Sequence, residues 1–460
     1  MNGGSMTTLS RISMAAVAAL IVGMGPASAA DLGGNCCADL EERVAELEAT
    51  TVRKGTRKVS LTISGQVSQE LMFWDDGVNS DMYIAGPTSS NSRWRMLGSA
   101  KISPEITAGF MYELEHLATS SSAQNQQNGT GYSNTVGNGA GDDGGANSAN
   151  LRQLWAYVEH KRLGRVEIGF GSTEANNIIL IDLSGKGMAA SNDVRLHNAA
   201  MRIAQGNGLY SSATWGNYFQ GSSGDWLNER QDHISYRTPV IAGFMLGASF
   251  AEDNYWDVAL RYAGEFNGIR IAGGLGYSIR SEYNSPSGAT SMPTTGANAG
   301  LVICTSNCDK ELRQLVGGLS IRHMPTGLFF TGAFGDREME ADAIGGDFDS
   351  SFFYLSGGVA RNFFGLGDTV LYGEYSQWKG TSQDTEITTV GPGGVGNVTA
   401  GGLSGDKLTH WGVGVVQHVD AAAMEFWLAY KNFSLEADAF SAVGGAEDLH
   451  LITAGTRIRF

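Results

Sequence analysis

The residues of this sequence that could act on another molecule are charged side chains spaced two positions apart within apolar stretches. Examples are Arg93 and Arg95, Glu113 and Glu115, and Arg457 and Arg459. Successive side chains of a β-strand point to opposite faces, so both members of each pair lie on one face of a strand. Charged groups that line a water-filled passage can attract or repel a dissolved solute, which is electrostatic rather than covalent chemistry.

The stretch 450–460 shows the kind of element that must position such residues. Its even-numbered positions are mostly apolar, and its odd-numbered positions include Arg457 and Arg459. A guanidinium in the core of a soluble β-sandwich would need a paired charge, whereas in a barrel the polar face meets water and the apolar face meets lipid. The terminal Phe460 resembles the signature by which bacterial outer-membrane barrels are recognised. An ordinary terminal strand of a soluble protein is the alternative.

The same alternation recurs along the chain and predicts about sixteen strands. The first begins at Arg57 and continues to Phe73. The others fall at about 92–103, 105–117, 151–161, 165–171, 231–240, 243–252, 255–267, 269–281, 312–323, 327–336, 351–362, 368–379, 408–419, 423–432 and 448–460. An even number in this range is typical of a closed transmembrane barrel.

The connections between these strands largely alternate between short and long. Tight turns include Asn267-Gly268 and Pro325-Thr326, and one outer connection, at Asp253-Asn254, is also short. The long polar segments are Thr119 to Asn150, Ser172 to Arg230, Ser281 to Glu311, Gly380 to Lys407 and Phe433 to Glu447. Short periplasmic turns and long outer loops favour an all-β fold, a sixteen-stranded antiparallel transmembrane β-barrel over residues 57–460.

Strand parity assigns two sets of charged residues to the inside of this barrel. The basic set is Arg93, Arg95, Lys101, Arg237, Arg261, Arg270, Arg280, Arg322, Lys431, Arg457 and Arg459. The acidic set is Glu70, Glu113, Glu115, Glu167, Glu374 and Glu425. We expect water in the lumen to solvate these charges, so that none needs a buried partner.

The longest connection, Ser172 to Arg230, is too long for a simple outer loop. It carries carboxylates at Glu174, Asp182 and Asp193 and an apolar run, Ile178–Ile181, which could anchor it to a wall. We predict that it enters the lumen as a constriction loop and turns its carboxylates toward the arginine strands, so that a transverse field filters solutes by size and charge. An external cap or a contact between copies of the chain is the alternative.

Aromatic residues lie near the predicted strand ends and favour interfacial girdles. These residues are Phe73, Trp74, Trp94, Tyr112, Trp155, Tyr157, Trp256, Tyr375, Trp378, Trp411, Trp427 and Tyr430. A scatter of ordinary sheet aromatics is the alternative.

The N-terminal region predicts export and self-association. Residues 1–29 combine Arg11, an apolar run and the small residues Ala27-Ser28-Ala29, which is typical of a cleaved signal peptide. Within residues 30–56, Leu40, Val44, Leu47 and Thr51 follow a heptad register and predict a short coiled-coil helix. A solvated helix or a disordered spacer is the alternative for this region.

The four cysteines form two local pairs. Cys304 and Cys308 are candidates for a loop disulfide, since an exported protein meets an oxidising compartment. Cys36 and Cys37 would close a strained ring with each other, so we expect thiols or a bridge between chains. Neither pair has a zinc-binding spacing, and no metal or other cofactor is expected.

Composition excludes further classes of protein. A net charge of −16 argues against nucleic acid as a partner and against a basic helix on a membrane surface. Beyond residue 30 no apolar run is long enough for a membrane helix, so any spanning must be done by strands.

Four stretches of the mature chain resemble the general porins of alphaproteobacteria: Cys36–Glu48, Lys58–Val67, Ile234–Pro239 with Gly243-Phe244, and Asp420–Glu425. The resemblance implies a homotrimer of sixteen-stranded barrels among outer-membrane lipid and lipopolysaccharide, with the third loop inside a channel that passes small hydrophilic solutes by passive diffusion. The outer loops diverge, so pore size and selectivity are not implied. The mature start, Ala30-Asp31, resembles the N-termini of related barrels that are joined covalently to peptidoglycan.

Two other functions compete with a pore. A barrel-borne hydrolase would need a nucleophile near a histidine, but the eight histidines are scattered and no nucleophile motif accompanies them, so we expect no enzyme. The other competing function is that of an envelope anchor, in which the N-terminal helix tethers the barrel to peptidoglycan.

Overall fold

The computed structural model describes residues 58–116, 120–126, 149–220, 230–252, 254–281, 310–341, 348–380, 388–391, 394–397 and 406–460. The chain divides into two compact units, and all described residues belong to the second, Thr51–Phe460. The predicted signal peptide, the coiled-coil helix, Ala30 and all four cysteines lie outside the described residues and stay predictions.

The described residues are almost entirely β-structure. The strands are β1 (Ser60–Asp75), β2 (Ser80–Ala85), β3 (Ser92–Lys101), β4 (Ile106–His116), β5 (Ala149–His160), β6 (Gly164–Ser172), β7 (Arg202–Ala204), β8 (Tyr210–Thr214), β9 (Arg230–Arg237), β10 (Phe244–Ala251), β11 (Tyr255–Phe266), β12 (Ile269–Arg280), β13 (Lys310–His323), β14 (Leu328–Ala341), β15 (Phe348–Arg361), β16 (Thr369–Lys379), β17 (Thr388–Gly391), β18 (Gly394–Asn397), β19 (Lys407–Val419), β20 (Met424–Glu436) and β21 (Leu449–Arg459). One short helix, α1, covers Trp215–Gln220, and none of the described helices is long and apolar enough to cross a membrane.

Sixteen of these strands form a closed antiparallel ring. Each pairs with its neighbour in the chain, and β1 closes the ring because it pairs with β21 on one edge and with β3 on the other. Gln66 of β1 lies opposite Arg459 and opposite Arg93. The sixteen predicted strands are therefore confirmed. Closure leaves no open sheet edge, which an exposed sixteen-stranded sheet would otherwise present.

The strand β2 was not predicted. It pairs with the upper half of β1, from Glu70 to Asp75, whereas β3 pairs with the lower half. The residues between β2 and β3 bend toward the interior, where the Gln66 amide donates hydrogen bonds to the backbone oxygens of Ser90 and Asn91.

The two faces of the ring differ as the alternation predicts. Large apolar side chains such as Ile168, Leu246 and Phe250 are more than half exposed on the outer face. Their chain neighbours Glu167, Gly247 and Ser249 point inward, and Glu167 and Ser249 are buried. An apolar exterior around a polar interior is what a barrel in lipid requires.

The predicted aromatic girdle is only partly correct. Outward rings from adjacent strands pair toward the long-loop end of the barrel, with ring centroids 5.3 to 6.2 Å apart, in Trp94–Tyr112, Trp256–Tyr277, Phe353–Tyr375 and Trp411–Tyr430. The prediction is wrong for five aromatics that face inward: Trp74, Trp155, Tyr157, Trp378 and Trp427. Strand parity, rather than distance from a strand end, decides which face a ring occupies.

The segment after β6 turns into the barrel, as predicted. Ile178 and Ile179 are 0% and 1% exposed, and they pack on the inner wall. The wall is flat there because of glycine: a Cβ at Gly318 would lie 2.1 Å from the carbonyl oxygen of Ile178. Further along, β7 and β8 join β17 and β18 in a separate four-stranded sheet, which the sequence did not predict.

Candidate pore constriction

Polar side chains of the wall hold the backbone of the inward segment, which we define as residues 173–201. The backbone amide of Glu174 donates to Ser249 Oγ at 2.7 Å, that of Ala175 to Asp257 Oδ2 at 3.0 Å, and that of Leu183 to Ser320 Oγ at 3.0 Å. Backbone groups that are buried against the wall lose their water and need such partners. The inward segment is thereby fixed along the wall from β10 to β13.

The carboxylates of the inward segment have close partners. Glu174 accepts two hydrogen bonds from the Arg237 guanidinium, at 2.9 and 3.0 Å, and Arg261 Nη1 lies 4.0 Å from it. Arg261 also donates to the backbone oxygen of Asn176 at 2.6 Å. These two arginines therefore bind the segment directly, rather than facing it across an open aperture.

Asp182 does not take the predicted orientation toward the arginine strands. Asp182 accepts hydrogen bonds from Ser184 at 2.7 Å and from Thr331 at 3.1 Å, and its nearest cation is Lys186 of the same segment, at 3.8 Å. Asp193 is buried within the segment. Asp182 therefore does not face the arginine strands across an aperture, and the role predicted for Asp193 stays a prediction.

The opposite wall, formed by β20, β21, β1, β3, β4 and β5, carries a cluster of arginines around buried carboxylates. Glu113 is 1% exposed and lies 3.6 Å from Arg93, 3.7 Å from Arg95 and 2.8 Å from Arg152. Glu115 also pairs with Arg152. The expectation that lumen charges need no buried partner is therefore wrong, because packing on the inner wall removes water from Glu113 and a buried charge must be paired.

A β-bulge places Arg152 outside the regular alternation, so strand parity did not assign it to the inner face. In the β4–β5 register Glu113 faces Gln153 and Leu114 faces Leu151, so Arg152 has no partner on β4. A bulge turns an extra residue out of the regular alternation, and Arg152 therefore points inward beside Gln153. The signal that could have revealed it is the spacing of the outward leucines, since Leu151 and Leu154 are three rather than two positions apart.

Two arginines of this wall, Arg95 and Arg459, remain open to solute. Arg457 and Arg459 both pair with the buried carboxylate of Glu425, Arg459 at 3.3 Å. The Arg459 side chain is nevertheless 54% exposed, and that of Arg95 is 44% exposed. These guanidinium groups can meet a passing solute, whereas their carboxylate partners cannot.

The remaining predicted basic residues lie elsewhere on the inner face. Arg280 stands 5.3 Å from the Tyr255 ring, near the outer end of the barrel. Arg270 pairs with Glu265 at 3.0 Å beside a short turn, and Lys101 is exposed at the same end. The structure therefore spreads the basic residues over the length of the channel.

A second buried cluster lies where β16, β19 and β20 meet the inward segment. Lys431 and Glu374 are both fully buried and pair at 2.5 Å. Glu374 also accepts a hydrogen bond from the Tyr354 hydroxyl at 2.6 Å, and His410 Nε2 lies 3.5 Å away. Lys186 of the segment stands 5.2 Å from the Tyr354 ring. Among the described residues, no group of three or more His, Cys, Asp or Glu side chains could hold a metal ion.

Comparison with known proteins agrees with this architecture. The family model for Gram-negative porins matches residues 15–399. The fold is similar to that of the anion-selective porin from Comamonas acidovorans, with a TM-score of 0.52 and 15% identity over 88% of this chain and 100% of that chain. Two further structures cover 88% of this chain and 99% of their own: the DcaP channel of Acinetobacter baumannii, at 10% identity and a TM-score of 0.48, and Salmonella typhi OmpF, at 12% and 0.47. Among curated proteins, none matches the sequence.

Proposed function

Because the chain belongs to the Gram-negative porin family, we propose that it sieves solutes where the inward segment faces the opposite wall. We call this wall, formed by β20, β21, β1, β3, β4 and β5, the arginine wall. The protein is an outer-membrane porin, a water-filled channel through which small hydrophilic solutes and ions pass by passive diffusion. Family and fold indicate a channel rather than an enzyme. The observation that carries the sieving proposal is a closed sixteen-stranded ring with the inward segment, residues 173–201, packed on its inner wall.

The charge of the arginine wall favours anions. It carries the five arginines and three carboxylates described above: Arg93, Arg95, Arg152, Arg457, Arg459, Glu113, Glu115 and Glu425. This leaves a surplus of two positive charges, and the exposed groups are guanidiniums while the carboxylates are nearly covered. Fixed charge in a narrow aqueous passage raises the local concentration of the opposite ion. We therefore propose an anion preference, although the whole chain is acidic.

Reversal potentials in planar bilayers test this proposal. Under a salt gradient the wild-type channel should favour anions, and the double variant Arg93→Ala with Arg95→Ala should shift permeability toward cations. Arg270→Ala is the matched control, since it removes an inward arginine that is paired with Glu265 at the short-turn end. An unchanged reversal potential in the double variant would refute the assigned role of these arginines. No stepwise conductance in the wild type would refute the channel itself.

We also propose the finer features that the family resemblance implies. These are the alphaproteobacterial type of porin, a homotrimer, contact with lipopolysaccharide, and covalent attachment to peptidoglycan through Ala30. Unheated electrophoresis of protein extracted in mild detergent tests the trimer, because a monomeric band alone would contradict it. Mass spectrometry of lysozyme-digested cell walls tests the attachment, which should appear as a muropeptide on the Ala30 amine.

A further inference from the structure

Among the described strands of the ring, the inward aromatic residues that stay partly exposed lie on β5. Trp155 and Tyr157 face inward, since their neighbours Leu154 and Val158 are about half exposed on the lipid face. Trp74, Trp378 and Trp427 also face inward but are buried. Of the inward tryptophans on the described strands, Trp155 alone therefore keeps part of its ring open to the channel.

The Trp155 ring is held in one orientation. It lies across the glycines of β6, where a Cβ at Gly171 would stand 2.6 Å from its Cδ1 atom. Its indole nitrogen donates to Gln153 at 2.9 Å. The guanidinium of Arg165 stacks 3.9 Å from the centre of the Tyr157 ring and 4.8 Å from that of Trp155. A surface fixed in this way loses little conformational entropy when a ligand binds.

The polar groups around these rings are paired in charge. Arg165 donates to Glu167 at 2.7 Å, and Arg237 is neutralised by Glu174. A cleft of about 160 Å³ begins at Arg165 and extends to the neighbouring short turns, and its charged lining residues are Glu159, Lys161, Arg165 and Arg237. The site thus combines a flat apolar surface, several hydrogen-bonding groups and little local net charge. That combination suits a neutral ring bearing hydroxyl groups better than an ion.

We propose that Trp155, Tyr157 and Arg165 form a sugar-binding subsite on the channel wall. The apolar C–H face of a pyranose ring stacks on the indole, and its hydroxyls exchange hydrogen bonds with Gln153 and the partly exposed Arg165. Binding is weak, because conduction requires that a solute also leave. The subsite deepens the proposed channel function and rests on it.

Single-channel recordings with maltotriose as the probe test the subsite. In the wild type, rising maltotriose should reduce the current in a saturable manner. Trp155→Ala should weaken this binding about tenfold, which corresponds to about 1.4 kcal/mol. Trp411→Ala is the matched control, since that ring is 44% exposed on the lipid face, and it should leave the binding unchanged.

The outcomes separate the subsite from the channel. A wild-type channel that conducts ions but shows no saturable block overturns the subsite alone, as does equal binding by the wild type and Trp155→Ala. Absence of any wild-type conductance contradicts the proposed channel function instead. If Trp155→Ala does not reach the folded, heat-modifiable form, Trp155→Phe replaces it in the test. This variant loses the hydrogen bond to Gln153 and should bind maltotriose about two- to fivefold more weakly than the wild type. An unchanged affinity for maltotriose refutes the proposal.

Discussion

The fully buried ion pair between Lys431 and Glu374 should be a large determinant of barrel stability. Replacing Lys431 by Met removes the charge that lies 2.5 Å from Glu374 Oε1 and leaves that carboxylate with the Tyr354 hydroxyl at 2.6 Å. Breaking a buried pair from one side costs about 3–5 kcal/mol, because the remaining charge is desolvated without compensation. We therefore expect Lys431→Met to lower the free energy of unfolding by about that amount.

Urea unfolding of the barrel in lipid vesicles, followed by tryptophan fluorescence and by the electrophoretic shift, measures this cost. The double variant Lys431→Met with Glu374→Gln should be more stable than Lys431→Met alone, since the glutamine carries no charge and can still accept from Tyr354. The matched control is Lys407→Met, which breaks the exposed pair of Lys407 with Glu436 at 2.8 Å. An exposed pair contributes about 0–1 kcal/mol.

Two results would contradict the argument for this pair. One is a loss in Lys431→Met no larger than that in Lys407→Met, which would mean that water reaches Glu374. The other is a double variant whose loss of stability equals the sum of the losses in Lys431→Met and Glu374→Gln alone. Groups in direct contact should instead show a coupling energy of about 0.5–3 kcal/mol.

Two further predictions concern the inward segment and the outer mouth. Gly318→Leu should displace the inward segment and change single-channel conductance, because even a Cβ at this position would lie 2.1 Å from the carbonyl oxygen of Ile178. The control is Gly332→Leu, whose side chain faces outward beside Leu355. Equal conductance in the two variants would exclude a contact between Gly318 and the segment. Burial, followed by the nearby Asp438, raises the pKa of Asp406 to about 7, so the folded region around Asp406 and Asp438 binds a proton that the unfolded chain releases near the ordinary pKa of about 4. The stability of this region should therefore fall as pH rises from about 4 to about 7. Limited proteolysis should show the loss in the wild type but not in Asp406→Asn, and identical profiles would contradict it.

Much of the barrel follows from the sequence alone, because strand parity is a local property. Arg457 and Arg459 point inward while Ile458 and Phe460 are exposed on the outside, as the pattern of the last eleven residues predicts. Each strand of the ring pairs with the next ring strand along the chain, so the order of strands follows the sequence, and the β1–β21 pairing joins its two ends. Ile178 likewise anchors the inward segment, as its place in an apolar run indicates.

Local irregularities limit the same reasoning. The bulge at Arg152 shifts parity by one residue, so a uniform alternation assigns this arginine to the lipid face. Trp155 and Tyr157 lie in the middle of β5 and follow its alternation inward, whereas the aromatic-girdle prediction placed them toward the lipid.

The pairing of charges is what only the tertiary structure decided. Glu174 meets Arg237 across 63 residues of sequence, and Glu374 meets Lys431 across 57. Alternation predicts that Arg237, Glu374 and Lys431 face the interior, but it carries no information on which side chains lie at the same height in the barrel or are desolvated. Those properties arise only when the ring closes and the inward segment packs against its wall, since desolvation depends on neighbours that are distant in the chain.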